Sequence, residues 1–447
     1  MSSAKPDPSM ERRPEFDRAG PGARTLRAES QRGARPISEH LFHRISGETT
    51  DNREARNGLR HVVALTASKL SDGLIDPKLI LSWLLTSLGA PALLVGLLVP
   101  IREAGALLPQ ILLSGWLRRL RYRKRFWAVG AMGQGASAAL IVLAALSLTG
   151  WAAGLAICAA LAALAVSRAA CSVSYKDVLG KTVAKSRRGA VTGAAGSISA
   201  AGVILLGVLL LTGVLRSETA VLMAIALAAG LWLAAAALML RLEEAPSDPD
   251  GAARPELAPL WQDRQLQLFI LVRGLLVPTA LAPPYFVLLA ARQGNLELRG
   301  LGVLVLVSAL ASFVSSYVWG RLADWSSRRV LMLTGLLGAA AMLAAVLAVW
   351  LGLGDTPWAL PLALFALMLA YHGVRQGRSI YLVDMSPPES RATYAALANT
   401  AIGTLLLVAG AIGGLAALIG PSVSLIGFAA LCVAASFAAL WLKEVEE

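Results

Sequence analysis

Long apolar runs with short polar interruptions dominate this chain. Beginning near Leu59, they cover residues 62–88, 91–116, 126–149, 151–176, 190–214, 219–241, 266–290, 300–320, 330–353, 358–385, 395–418 and 421–442. Each holds around the ~20 residues that a helix rising ~1.5 Å per residue needs to cross ~30 Å of hydrocarbon. The pattern predicts an all-α membrane protein of twelve transmembrane helices, spans 1 to 12 in chain order.

Composition agrees, because 56% hydrophobic and 15% charged residues leave too little polar surface for a soluble globule of this length. Cys158, Cys171 and Cys432 all fall inside apolar runs, so neither a disulfide framework nor a zinc spacing is present, and no cofactor is expected. Residues 1–60 mix basic and acidic side chains with Pro, Gly and Ser and show no sustained apolar period. They read as a disordered tail, and not as a signal peptide, since no apolar core follows the basic residues.

Charge divides the connections into two sets. After span 2 come Arg118, Arg119, Arg121, Arg123, Lys124 and Arg125 without an acid, and after span 4 come Lys181, Lys185, Arg187 and Arg188. Arg321, Arg328 and Arg329 follow span 8 on the same side, and Arg391 follows span 10. The opposite connections are short and nearly uncharged, which puts both termini in the cytoplasm. This sidedness accounts for most of the net charge of +13, and basic clusters of loop size without interleaved aromatics argue against nucleic acid as a partner.

One longer polar connection, rich in Pro and acids, cuts the chain in half. The expected organisation is a tail at 1–60, a six-helix bundle at 61–242, a cytoplasmic linker at 243–264, a second bundle at 265–442 and a cytoplasmic C-terminus at 443–447. Arg168 and Asp177 in span 4 have counterparts Arg375 and Asp384 in span 10 at one offset, 375 − 168 = 384 − 177 = 207. Gly115 and Gly320 end spans 2 and 8 at a similar offset, 320 − 115 = 205. Repeats of this kind place a site where the halves meet.

The connection after span 8 reads Gly320-Arg321-Leu322-Ala323-Asp324-Trp325-Ser326-Ser327-Arg328-Arg329 and resembles the Gly-x-Leu-Ala-Asp-x-x-x-Arg-Arg loop of the major facilitator superfamily. A degenerate copy from Gly115 to Arg125 holds the equivalent place in the first half, with Arg119 where the superfamily has Asp. The resemblance covers residues 59–442 and implies two six-helix bundles that rock about a central cavity. It also implies a gating role for Gly115, Gly320, Asp324, Arg328 and Arg329. The Gly-Pro pair that proton-driven drug exporters of the superfamily carry in span 5 is absent.

An ionisable group inside hydrocarbon costs at least ~2.5 kcal/mol, so each one kept there is a pathway residue by default. Lys69, Asp72 and Asp76 fall at i, i+3 and i+7 on one face of span 1, and Arg102-Glu103 reach a similar depth in span 2. Pro77 interrupts span 1 there, and Pro278, Pro283 and Pro284 interrupt span 7, its repeat partner. Arg168 shares a face with Tyr175, while His372 and Arg375 lie in span 10 and Arg273 in span 7; Arg168 also resembles the span 4 arginine that many superfamily members use in coupling. A Gly180-Lys181-Thr182 sequence lacks the upstream glycine of a phosphate loop, and no catalytic constellation suggests an enzyme.

These residues lead to one expectation and two rivals. The expectation is a monomeric secondary active transporter in a bacterial cytoplasmic membrane, moving a small anionic or zwitterionic solute by alternating access. Asp72, Asp76 and Glu103 would take protons, and Lys69, Arg102, Arg168, Tyr175, Arg273, His372 and Arg375 would line the cavity. The rivals are a gradient-independent facilitator or an amphiphile or drug exporter, and a membrane sensor or assembly partner that moves nothing and acts through its tail.

Overall fold

The computed structural model describes residues 37–47, 51–215, 217–247, 258–294, 297–323, 325–387 and 390–445. Among them regular structure is helical throughout. Among the described residues ten helices are long and apolar enough to cross a membrane, which with the fold makes this a multi-pass membrane protein. Spans 1 and 10 fall short of that test, and both carry the polar groups that lower their apolar character. Span 1 is two helices, Asn52–Leu74 and Ile80–Ser87, and span 10 is the helix Ala359–Met385, whose apolar run is cut by His372, Arg375, Gln376 and Arg378.

Both proline-bearing first helices are broken. Span 1 opens at Pro77, where Leu81 N–H reaches back to Asp76 O and the Ser82 hydroxyl donates to Pro77 O. Span 7 is three pieces, Arg264–Leu275, Pro278–Leu281 and Pro283–Arg292. A proline lacks the N–H that the helix ladder needs and pushes against the preceding turn, so the backbone must bend there.

Helix packing repeats itself with all numbers raised by six. Span 3 packs on 4 and 6, span 6 on 1, span 1 on 5 and span 2 on 4; spans 9, 10, 12, 7, 11 and 8 make the corresponding contacts in the second half. The halves meet along two symmetric seams, span 2 with span 11 and span 5 with span 8. Glycines bring the backbones together there, because tightly packed membrane helices depend on small side chains. A Cβ on Gly302 would stand 2.5 Å from Leu211 N, and one on Gly410 would run into the Pro100 ring.

The seam between spans 5 and 8 closes at one end only. Gly207 and Gly302 lie at the end away from the basic loops, whereas Gly189 and Gly193, near the basic end of span 5, have nothing within 4 Å of an added Cβ. Phe313 and Tyr317 of span 8 are exposed toward that end as well. This seam is therefore closed opposite the basic loops and open beside them.

At the basic end, matching acids clasp each half. Glu244, just past span 6, accepts from Arg123 N and Lys124 N at the start of span 3 at 3.0 and 2.9 Å. Glu444, just past span 12, pairs with Arg328 at the start of span 9 at 2.7 Å and accepts from the Ser326 hydroxyl. Asn57 and Gln265 likewise occupy equivalent places, accepting from Glu243 N and Lys443 N at 3.1 and 3.2 Å. Asp263 caps span 7; burial works against its charge, but hydrogen bonds from the Tyr394 hydroxyl and from Leu266 and Gln265 N–H hold its carboxyl below the usual range.

The tail reading needs correction over part of its length. Residues Ile37–Ser46 form a helix, and the first helix of span 1 starts at Asn52 under an Asp51 cap, inside the stretch expected to be disordered. The short helix holds because Phe42, fully buried, fills the notch over Gly58, where a Cβ would run into the ring. Val62, Leu179, Val183 and Val191 complete that cluster, tying the helix to spans 1, 4 and 5. Ile45 packs beside Phe42, and the two belong to a short helical period of Ile37, Leu41, Phe42 and Ile45 inside the stretch expected to be disordered. The remainder of the tail, residues 1–36, and residues 248–257 of the linker lie outside the described residues.

Candidate functional site

Between the halves, at mid-depth, the broken span 1 faces span 2 of its own half and span 10 of the other. Asp72 sits on the last turn of Asn52–Leu74 and is held from two sides. Arg102 Nη2 meets its Oδ1 at 2.7 Å, and Arg168 Nη1 meets its Oδ2. Both oxygens carry a guanidinium, so spans 1, 2 and 4 are joined through one carboxylate. Charge-assisted bonds of this type are about twice as strong as neutral ones.

Asp76 lies one turn further on, in the break. Its carboxylate faces the backbone N–H groups of Lys78 and Leu79, which the interruption at Pro77 leaves without helical partners. Lys78 is buried, and its ammonium lies over the Tyr371 ring of span 10 at 3.6 Å from the centroid. Glu103 of span 2 stands within electrostatic reach of Lys78 and Arg102 in its own half and of Arg375 and Arg378 across the seam. Neither Asp76 nor Glu103 has a cation within ion-pair distance among the described residues, unlike Asp72.

The remaining expected residues divide between cavity and packing. Lys69 donates to Thr192 O at 3.4 Å and so bridges spans 1 and 5. Arg273 is buried, donates to Asn399 Oδ1 at 3.0 Å and keeps its Nε without a partner. His372 and Arg375 both line the open space between the halves. Tyr175 does not: its ring packs edge-on against His61 at 5.8 Å, within the cluster that anchors the N-terminal helix. The seven-residue spacing from Arg168 carries it to the basic end, below the cavity. Asp177 lies there too, paired with Arg123 at 2.5 Å and Lys181 at 3.0 Å.

Of the loop residues, Gly115 lies in the short helix Gln110–Arg118 and Gly320 in the helix Leu298–Ala323. Arg328 holds Glu444 and donates to Leu442 O at 3.1 Å, and Arg329 lies over the Trp325 ring at 4.4 Å. Asp324 lies outside the described residues. Arg328 thus ties the start of span 9 to the end of span 12 within its own half.

Lys78, Tyr371 and Asn399 join the site without having been expected in it. Lys78 carried a readable signal, a charge in the middle of an apolar run directly after a proline. The break lets it reach the Tyr371 ring of span 10 while it lines the cavity beside Asp72 and Asp76.

No family model and no curated sequence matches the chain. Solved structures do: a nucleoside transporter NupG mutant superposes with a TM-score of 0.68 at 13% identity, covering 87% of this chain and 100% of that one. A D-xylose-proton symporter gives 0.66 at 10% identity over 87% and 98%. A peptide transporter POT mutant gives 0.66 at 11% identity over 91% and 98%. The chain has the fold of major facilitator superfamily transporters, two six-helix bundles around a central cavity, and the proteins that share it here are transporters, not enzymes.

Proposed function

We propose that the chain is a secondary active transporter of the bacterial cytoplasmic membrane, a monomer with both termini inside that carries a small anionic or zwitterionic solute by proton-coupled alternating access. The observation that carries this is the cluster of charges between the halves: Asp72, clasped by Arg102 and Arg168, lines the cavity with Asp76 and Lys78, facing His372 and Arg375 of the other half, and Glu103 lies behind them. A structural staple would need one pair. Here the groups belong to both halves, and their spacing changes whenever the halves rock.

The geometry assigns separate tasks. Asp72, engaged on both oxygens, fixes the two arginines and keeps spans 1, 2 and 4 moving as one body. Asp76 is the carboxylate free to exchange a proton, since it meets only backbone N–H groups, whereas Glu103 stands between cations of both halves and takes a proton only when one of them is engaged elsewhere. Solute arriving at Arg375 would compete with Glu103 for that cation and favour protonation of the carboxylate, which links solute to proton. The opening toward the basic loops is then the cytoplasmic one. The fold shared with a D-xylose-proton symporter supports the same coupling.

Uptake into proteoliposomes under an imposed pH gradient tests this. One pH unit is worth about 1.4 kcal/mol per proton, a tenfold accumulation. Wild type is expected to concentrate its solute by that order, and Asp76→Asn to lose accumulation while still exchanging solute down its gradient. Equal accumulation by Asp76→Asn and wild type at every pH would remove the coupling role.

A further inference from the structure

Resting on the transporter reading, we infer that the solute is an amphiphilic organic anion, its charged head held by the cations of span 10 and its apolar body lying between spans 5 and 8. The cavity has two lobes of different chemistry that share Ser312, His372 and Arg375. One lobe, about 730 Å³, is lined by Lys176, Arg273, Arg375 and Arg378, and among the described residues no acid lines it. Glu103 lies behind these groups and faces Arg273, Arg375 and Arg378. Arg273, Arg375 and Arg378 share one acid within the span, with Lys176 at the basic mouth, and so leave an excess of positive charge at a depth where charge without a counter-ion is costly. The planar forks of the arginines match a phosphate or carboxylate head.

The other lobe, about 660 Å³, has Asp72, Asp76 and Lys78 at one edge, but its wall is Val203, Ile204, Val305, Phe313 and Met368. Phe313 is 79% exposed and Ile204 42%, so this wall continues to the flank where spans 5 and 8 part. Each lobe falls in the range of ~300–1,000 Å³ that takes a drug-sized ligand. A compact polar solute would satisfy the first lobe and leave the second with only water against apolar walls. An anion carrying an alkyl or aryl body satisfies both.

The test uses full-length protein in a neutral maltoside detergent and reads ligand-induced thermal stabilisation. The probes are inorganic phosphate, straight-chain alkyl phosphates of two, four, six and eight carbons, and octyltrimethylammonium. Binding is expected to strengthen by roughly tenfold for each two methylenes added, with the cation of equal length failing to bind. Arg375→Gln should weaken every phosphate of the series alike, and Phe313→Ser should flatten the dependence on chain length. Equal affinity for ethyl and octyl phosphate would overturn the amphiphile assignment while leaving proton-driven uptake of a small anion intact. Octyltrimethylammonium binding as tightly as octyl phosphate would overturn it too, by showing detergent-like adsorption. Loss of proton-driven accumulation with the chain-length series preserved would instead sink the coupling and spare the site.

Discussion

Asp72→Asn is expected to lower stability by about 3 kcal/mol and to abolish transport. Removing one member of a buried ion pair typically costs ~3–5 kcal/mol, because the partner is left charged and unpaired. Here two partners are left, Arg102 and Arg168, facing one another across the vacated carboxylate. The lower end of the range applies, since the Arg168 side chain is 35% exposed and its charge is not fully buried. Thermal unfolding of the purified protein, followed by tryptophan fluorescence, measures the loss. Arg168→Gln in the same chain should return part of it by removing one of the two stranded cations. A melting temperature unchanged by Asp72→Asn would mean that the triad does not hold spans 1, 2 and 4 together.

Gly302→Leu should be the most disruptive change on the closed seam. An added Cβ meets the Leu211 backbone N at 2.5 Å and Gly207 O at 3.0 Å, and backbone cannot swing aside as a side chain would. Overpacking of this kind costs ~1–3 kcal/mol, enough to shift the sealed population about ten- to hundredfold toward the alternative. The variant should stay folded, because the clash is between halves and not within one. A cysteine at Ala200, which lines the cavity, reports the shift once the three buried native cysteines are replaced. Membrane-impermeant maleimide added from the side away from the basic loops should label it on the order of tenfold faster in the Gly302→Leu variant than in the chain that keeps Gly302. Equal labelling would show that this seam is not a gate.

Much of the fold and part of the site can be read from residue type and spacing. Depth counting alone brings Arg102 to the level of Asp72, because antiparallel neighbours rising at a fixed pitch meet at predictable heights. The same arithmetic brings Arg168 near, but whether one arginine or two would hold the carboxylate depends on side-chain reach across three helices. Lys78 escaped because helical periodicity assigns faces only while the helix continues, and Pro77 ends it one residue earlier. Tyr175 went the other way: it shares a face with Arg168 but sits two turns nearer the basic end, where the face meets His61 and the Phe42 cluster. The short helix Ile37–Ser46 carries Ile37, Leu41, Phe42 and Ile45 at helical spacing, a period of only two turns that the polar residues on either side of it obscure.

The acid clasps at the basic end teach a related lesson. Glu244 and Glu444 follow the last helix of each half at one offset, 444 − 244 = 200, yet each acts on the start of the third helix of its half. The repeat is visible in the chain only after the contacts show what to compare. These clasps make each half a rigid unit, which is what a rocking motion requires.

Spin-label distances between cysteines at Trp116 and Trp325, exposed positions at the basic ends of the first and second halves, test the rocking most directly. With a bound anion and a pH gradient varied in turn, two distance populations are predicted whose ratio shifts with both, the shorter one growing as the basic end closes. A single distance that stays the same under every condition, in protein that still transports, would contradict the account.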